Sequence, residues 1–379
     1  MKIIVDENIS FGFEAFSTIG SVTLMPGRGI SNEALKNTDA LVVRSITEVN
    51  ESLLKGTNIK FVGTATIGTD HIDLEYLKKN NITFTSAAGC NSHAVKEYVF
   101  NAIFSICVKY NLSLKDKSIG IIGVGNIGSK NTAIAESLGL KVFKNDPPLE
   151  RLNPSAGYCS LQEALSCDIV TFHVPLNKEG IDKTVHLLNE SNIELIKPGA
   201  ILINSSRGPV VDNEALKKRM NLKKDLYVVL DVWEKEPDFD TELLKLIEYG
   251  SPHVAGYSLE GKVNGTVFVY EALCNYCGIN PVWSPTYPPV NNHLIKISGN
   301  RTLEKTMHTI FTQAYKIEED DSAMRKITNA KQEDVGKQFD FLRKDYRFRR
   351  ELNNYRINNF SGLSQLKESL SILRLQLEN

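Results

Sequence analysis

"SIGIIGVGNIG", Ser118–Gly128, joins an apolar run fit for a buried strand directly to Gly123, Gly125 and Gly128 in G-x-G-x-x-G spacing, and the helix-forming "SKNTAIAESLGL" follows at once. The spacing alone is a weak signal, but strand, glycine turn and helix in this order are what a dinucleotide site requires. Gly123 would make the tight turn and Gly125 would let a pyrophosphate approach the backbone. Gly128 would let helix and strand pack closely, with the amides of Asn126, Ile127 and Gly128 at the helix start facing the anion. The next strand-like run, "LKVFKND", ends in Asp146, 18 residues beyond Gly128. A carboxylate there would accept hydrogen bonds from ribose hydroxyls and repel a 2′-phosphate, so the expected coenzyme is NAD.

Working outward, "CDIVTFHV", "AILINSS" and "LYVVLDVW" continue a series of β-rich runs, each suited to a strand covered on both faces. The first ninety residues show the same alternation in "KIIVD", "ALVVRS", "IKFVGTAT" and "ITFTS", with amphipathic stretches between them. The expected fold class is therefore α/β, with two doubly wound parallel-sheet domains of Rossmann-like or flavodoxin-like type. A long helix over about 91–110 would cross between them, and a second would run from Leu259 to Cys277. Capping boxes are expected at Ser160 with Glu163 and at Ser191 with Glu194. The proline-rich "NPVWSPTYPPVNN" reads as a linker or extended arm, and the tail beyond it as a small separate α/β module.

Composition narrows the function. With 379 residues the chain exceeds one core, and 42% hydrophobic with 23% charged residues is ordinary globular usage. A net charge of −1 offers no field for nucleic acid or an anionic membrane, so the substrate should be small. No apolar stretch is long enough for a membrane span, and "MKIIVDENIS" is too short and acidic for a signal peptide, which places the protein in the cytosol. Six scattered cysteines suit a reducing compartment. The "CNYC" pair lacks partners and reads as helix packing, so no metal is expected.

Three polar groups follow strand ends in this half-chain. "ILINSSRGPVVD" carries Arg207 past a core strand, where a guanidinium can grip a carboxylate with two parallel hydrogen bonds and polarise a carbonyl. The competing reading is an ion pair with Asp212. "VVLDVWEKEP" places Asp231 at the next strand end and Glu236 five residues on, and "SPHVAGY" presents His253 after another short apolar element. A histidine exchanges a proton near neutral pH, and Glu236 could hold its tautomer. His253 alone would read as a surface histidine; the three together suit an acid–base pair beside a carboxylate anchor.

"GIIGVGNIG", "KPGAILINSSRGPVVDNEAL", "LDVWEKEP" and "SPHVAG" resemble, in order, the signatures of the D-isomer-specific 2-hydroxyacid dehydrogenases. The resemblance implies that Arg207 binds the substrate carboxylate, Glu236 orients the imidazole and His253 exchanges a proton with the 2-hydroxyl. It places Asn126, Ile127, Val174, Ser205, Ser206 and Gly256 beside NAD, with Asp231 at the nicotinamide amide. Val174 stands where many relatives have threonine, which removes a hydroxyl contact; Ser206 stands where cysteine or alanine is common.

Further matches in "MKIIVDENI", "PGRGI", "DALVVRSITEVNESLL", "KFVGTATIGTDHID", "AGCNSHAVKEYV" and "FDFLRKDYRFRREL" point to members of that family that oxidise 4-phospho-D-erythronate on the way to pyridoxal 5′-phosphate. They imply substrate contacts at Ser45 and Thr66, with Tyr257 nearby, and a tail that makes a homodimer. Arg44 beside Ser45 is a natural phosphate cradle, against the alternative of an ion pair with Glu48. The implied organisation is a discontinuous substrate domain (1–92 and 257–280), an NAD domain (93–256) and a dimerisation domain (281–379), with the cleft between the first two. Two rivals stand beside it: D-3-phosphoglycerate as the substrate, or an NAD-sensing corepressor of the same fold.

Overall fold

The computed structural model describes residues 1–297, 301–358 and 365–378; the positions 298–300, 359–364 and 379 of the expected tail module lie outside the described residues. The chain forms two compact units, Met1–Asn91 with Ser258–Pro289, and Ser92–Tyr257 with Val290–Asn379.

The first unit holds five parallel strands, β1 (Lys2–Asp6), β2 (Ser21–Met25), β3 (Ala40–Val43), β4 (Phe61–Thr64) and β5 (Thr83–Ser86), in the order β2-β1-β3-β4-β5. Strand side chains alternate between faces, and the core divides accordingly. Ile3, Val5, Val42 and Phe61 pack with Val269, Tyr270 and Leu273 of the helix Leu259–Cys277, while Ile4, Leu41, Val43 and Val62 pack with Ile72 and Leu77 on the other side. Cys274, of the "CNYC" pair, is part of this core.

The second unit is built on β6 (Ser118–Ile122), β7 (Lys141–Asn145), β8 (Ile169–Phe172), β9 (Ile201–Asn204), β10 (Tyr227–Leu230) and β11 (Tyr249–Gly250), all parallel, in the order β11-β10-β9-β8-β6-β7. Ile119, Ile121, Ile201 and Ile203 lie in one core; Ile122, Phe172, Leu202 and Leu230 lie in the other. Burial on both faces is why these strands read as unbroken apolar runs. The helix Ser92–Tyr110 is buried along nearly its whole length, because the tail closes its outer side. Phe104 stacks on Phe311 of the helix Leu303–Ala314 with ring centres 5.7 Å apart, and Asn101 Nδ2 donates to Tyr315 O at 2.9 Å. The tail adds a three-stranded parallel sheet, β12 (Leu294–Ile295), β13 (Arg356–Asn358) and β14 (Gln376–Glu378), plus the helices Ile317–Ile327, Val335–Lys344 and Lys367–Ile372.

The Ser160 capping box forms: Ser160 Oγ accepts the Glu163 amide at 3.2 Å and Glu163 Oε2 accepts the Ser160 amide at 2.9 Å. The box expected at Ser191 and Glu194 does not. Ser191 donates its hydroxyl to Asn189 Oδ1 at 2.7 Å, Glu194 pairs with Lys223, and only a single 3-10 turn, Ile193–Leu195, follows. Asn192 Oδ1 accepts the Asn189 amide at 2.8 Å, so asparagine side chains close a local turn before a helix can start. No helix among the described residues is long and apolar enough to cross a membrane.

Candidate active site

The registers of the second sheet align one row of residues at the carboxyl ends of all six strands: Asn145, Ile122, Phe172, Asn204, Leu230 and Gly250. The glycine turn leaves this row after Ile122, Asp146 after Asn145, and Val174 two residues after Phe172. Arg207 leaves it three residues after Asn204, Asp231 directly after Leu230, and His253 three residues after Gly250. With strands about 4.8 Å apart, β9 lies roughly 10 Å from β6. The order places the chain reversal between β6 and β8, where open α/β sheets bind their ligands.

Each glycine of the turn has a distinct reason. Gly123 has φ +87°, and a Cβ there would come within 2.9 Å of Val174 Cγ1. A Cβ on Gly128 would run into the carbonyl oxygen of Gly123, whereas one on Gly125 would meet nothing within 4 Å. That open space at Gly125 is the cradle a pyrophosphate needs, and the helix Gly128–Ser137 begins beside it. Asn126 O accepts from Lys130 Nζ at 3.1 Å, and Ile127 precedes the first helical residue. Asp146 is pinned to the turn: Oδ2 accepts the Val124 amide at 2.7 Å and Oδ1 the Leu149 amide at 3.1 Å. Ser205 Oγ is buried without a partner among the described residues. These residues fit NAD. Gly125→Val should therefore leave the melting temperature of the free protein near that of the parent while weakening NADH binding at least tenfold, and Gly128→Val should lower the melting temperature itself. Equal NADH affinity in Gly125→Val, measured by fluorescence titration, would remove the turn from the coenzyme site.

Arg207 is presented by a turn that Asn204 builds. The buried Asn204 side chain donates to Arg207 O at 2.9 Å and accepts from the amide and hydroxyl of Ser206 at 3.1 and 2.8 Å. Gly208 lies against the Trp233 carbonyl with no room for a Cβ, which locks the Arg207 turn to the loop carrying Glu236. The carboxylate of Asp212 is engaged elsewhere: Oδ1 caps the helix Asn213–Leu222, and Oδ2 lies 3.6 Å from His186 Nδ1. His186 Nε2 meets Glu234 Oε1 at 2.6 Å, so that imidazole fills the space between two carboxylates.

His253 and Glu236 meet as a pair, Nδ1 to Oε2 at 2.8 Å. His253 has φ +58°, an uncommon conformation for a residue other than glycine, and Asp231 holds it there. The His253 amide donates to Asp231 O at 2.7 Å. The Asp231 carboxylate accepts the Ser251 hydroxyl at 2.6 Å and the amides of Val254 and Ala255 at 2.8 and 3.0 Å. Asp231 is thus a buried organiser of the histidine loop, and burial lifts its carboxyl above the ordinary range even though His253 and these donors oppose the rise. For Glu236, burial also acts upward, but His253, the Trp233 amide at 2.8 Å and Arg343 outweigh it and hold the carboxyl below its usual value. A Glu236 that is ionised and fixed on Nδ1 would leave Nε2 as the ring nitrogen able to exchange a proton. Tyr257, past Gly256, accepts at its hydroxyl from Arg343 Nη2 at 3.2 Å.

In the first unit, Arg44 and Ser45 follow β3 and Thr66 follows β4, from ends that are paired at Val43 and Thr64. Thr66 Oγ1 lies 2.7 Å from Thr64 Oγ1, which His71 Nε2 approaches at 3.1 Å. Among the described residues no ion pair joins Arg44 to Glu48. No role for Asn204, Ser251, Trp233 or Arg343 was legible in the sequence, although each lies inside a stretch that carries the resemblance: "KPGAILINSSRGPVVDNEAL", "SPHVAG", "LDVWEKEP" and "FDFLRKDYRFRREL".

Residues 93–255 match the family model described as the D-isomer specific 2-hydroxyacid dehydrogenase, NAD binding domain, and residues 287–371 match one described as a domain of unknown function. The chain is 45% identical over 357 residues to the erythronate-4-phosphate dehydrogenase of Cronobacter sakazakii, covering 93% of this chain and 92% of that protein; a Klebsiella pneumoniae protein of the same name is 45% identical over 358 residues, with the same coverage. Among solved structures, NAD+-bound 3-phosphoglycerate dehydrogenase from Entamoeba histolytica aligns at a TM-score of 0.62 and 25% identity, over 73% of this chain and 95% of that one. D-lactate dehydrogenase from Aquifex aeolicus with NAD and lactic acid aligns at 0.56 and 25%, over 73% and 96%. With relatives at 45% identity over 93% of its length, the chain belongs to the D-isomer specific 2-hydroxyacid dehydrogenase family, in its erythronate-4-phosphate dehydrogenase branch.

Proposed function

We propose that this chain oxidises 4-phospho-D-erythronate at C2 with NAD, giving 2-oxo-3-hydroxy-4-phosphobutanoate in the formation of pyridoxal 5′-phosphate. The observation that carries the reading is the Glu236–His253 pair at 2.8 Å on the same strand-end row as Arg207 and the glycine turn. The names of the relatives at 45% identity support the substrate. NAD would be held by the turn at Gly123, Gly125 and Gly128, by Asp146 and by Ser205, and supplies the hydride acceptor. Arg207 grips the substrate carboxylate and stabilises the negative charge that builds on the C2 oxygen as its proton leaves and the hydride passes from C2 to NAD. His253 Nε2 takes the 2-hydroxyl proton, while Glu236 holds Nδ1 and stabilises the imidazolium that forms. Arg44, Ser45 and Thr66 receive the phosphorylated end in this reading, with Tyr257 beside the substrate. Burial and the neighbouring Arg44 push the Lys262 ammonium down, a concentration of positive charge suited to a phosphate.

We place the protein in the cytosol, which six cysteines outside any disulfide favour. A homodimer would form through the tail, where Phe341 and Phe348 stand 62% and 65% exposed. Replacing both by Asp should convert a dimer to a monomer in sedimentation; a monomeric parent protein would refute the dimer. The substrate is tested by comparing turnover of 4-phospho-D-erythronate and 3-phospho-D-glycerate with NAD and a 2-oxo-acid acceptor. Preference for the four-carbon acid is expected. Preference for the three-carbon acid would reassign the enzyme, and NADH binding without oxidation of either would favour a sensor.

A further inference from the structure

The helix Val335–Lys344 of the tail touches both loops that carry the acid–base pair. At its start, a Cβ on Gly336 would lie 2.5 Å from Asp238 Oδ1 and 3.2 Å from Pro237 Cγ, so the helix rests on the two residues that follow Glu236. One turn on, Phe339 packs on Phe239 with ring centres 5.5 Å apart. At its end, Arg343 Nη2 donates to the Tyr257 hydroxyl at 3.2 Å, four residues beyond His253, with the guanidinium 5.9 Å from the Tyr257 ring and 6.0 Å from that of Phe339. The chain beyond adds two more holds. Tyr346 meets Tyr257 edge-on at 5.7 Å, and the buried Arg349 donates to Ala255 O at 3.0 Å and Ala94 O at 2.8 Å. Arg343 Nε is buried without a partner among the described residues, so the guanidinium is held by one hydrogen bond, two rings and the field of Glu236 rather than by a salt bridge of its own.

We infer that Arg343 is a positioning residue for the reaction: with the helix that carries it, it braces the Glu236 loop against the His253–Tyr257 loop and adds a positive charge to the surroundings of the pair. The C-terminal module would then act on the chemistry within one chain as well as in assembly. The inference rests on the reading of Glu236 and His253 as the acid–base pair. Among the described residues, Asp231 bears on His253, and His253 and Arg343 bear on Glu236; Arg343 itself faces Tyr257 and Asp340. The positive charge of Arg343 bears on Glu236, and through it on the Glu236–His253 pair. Without that charge, the pair binds a proton more readily. Hydride removal needs an unprotonated Nε2, so the acid limb of the oxidation profile must move to higher pH.

The test compares Arg343→Gln with Arg343→Lys in the full-length protein. Arg343→Gln should move the acid limb of kcat/KM for oxidation upward by about half a unit or more and lower kcat/KM at neutral pH about tenfold, with KM for NAD unchanged. Arg343→Lys should keep the limb near that of the parent, because the charge remains. A lost hydrogen bond or a packing defect alone would lower activity in both variants without moving the limb, and that result overturns the inference. A readout without turnover separates this from the assignment of the substrate: in protein labelled with 13C-histidine, the His253 ring signal should titrate at higher pH in Arg343→Gln than in the parent. Coincident titrations would overturn the inference whatever the substrate proves to be, while failure of the parent to oxidise either phospho-acid bears only on the substrate.

Discussion

Arg207→Ala is expected to lower kcat/KM for the phospho-acid by about 10²-fold or more, roughly 3 kcal/mol of transition-state stabilisation, with NADH affinity changed little. Arg207 leaves β9 on a turn whose backbone is held by Asn204 and by the contact of Gly208 with Trp233, and its Nη1 donates to Ser206 O at 2.9 Å. Its action would be twofold: two parallel hydrogen bonds to the substrate carboxylate and a positive charge near the C2 oxygen. Arg207→Lys keeps the charge but loses the planar fork, and should recover only part of the loss. A near-normal catalytic efficiency in Arg207→Ala would take the residue out of the site.

His253→Ala should lower the oxidation rate by 10² to 10⁴-fold, the range of a positioned general base, and leave NADH binding intact. Because the glycine turn lies four strands away along the same sheet edge, coenzyme affinity is the internal control. Its loss would point to a collapsed loop rather than to missing chemistry. In the parent, oxidation should rise with pH through an acid limb, since protonating the pair removes the acceptor for the hydroxyl proton. The variant should lose that limb along with its rate. Glu236→Gln should retain part of the rate, for it still hydrogen-bonds Nδ1 but no longer stabilises the imidazolium. An unchanged acid limb in His253→Ala would assign the proton transfer to another group.

Much of this was legible in the sequence for physical reasons. Strands covered on both faces must be apolar throughout, so β6, β8, β9 and β10 announced themselves, and the glycine turn, Val174, Arg207 and Asp231 each follow one of those runs by a few positions, while His253 follows the two-residue β11. The strand order could not be read, since nothing in "SIGIIGVG" says which run will lie beside it; the single row from Asn145 to Gly250 emerges only with the registers. Serine at Ser191 suggested a capping box, but neighbouring asparagines satisfied the backbone first. The resemblance implies a coenzyme contact at Asp231; the support that its carboxylate gives the histidine loop through three local hydrogen bonds had no signal in the sequence. The arginines of "FDFLRKDYRFRREL" have the composition of a solvated face, and only three-dimensional placement turns Arg343 and Arg349 toward the loop of His253–Tyr257.

The most direct measurement uses 4-phospho-D-erythronate carrying deuterium at C2. Turnover by the parent protein should slow relative to the protium substrate, and each molecule of reduced coenzyme should carry one deuterium at the nicotinamide ring. Reduced coenzyme without deuterium, or no reduction with this substrate under conditions where NADH binds, would contradict hydride removal from C2 at the Arg207, Glu236 and His253 site.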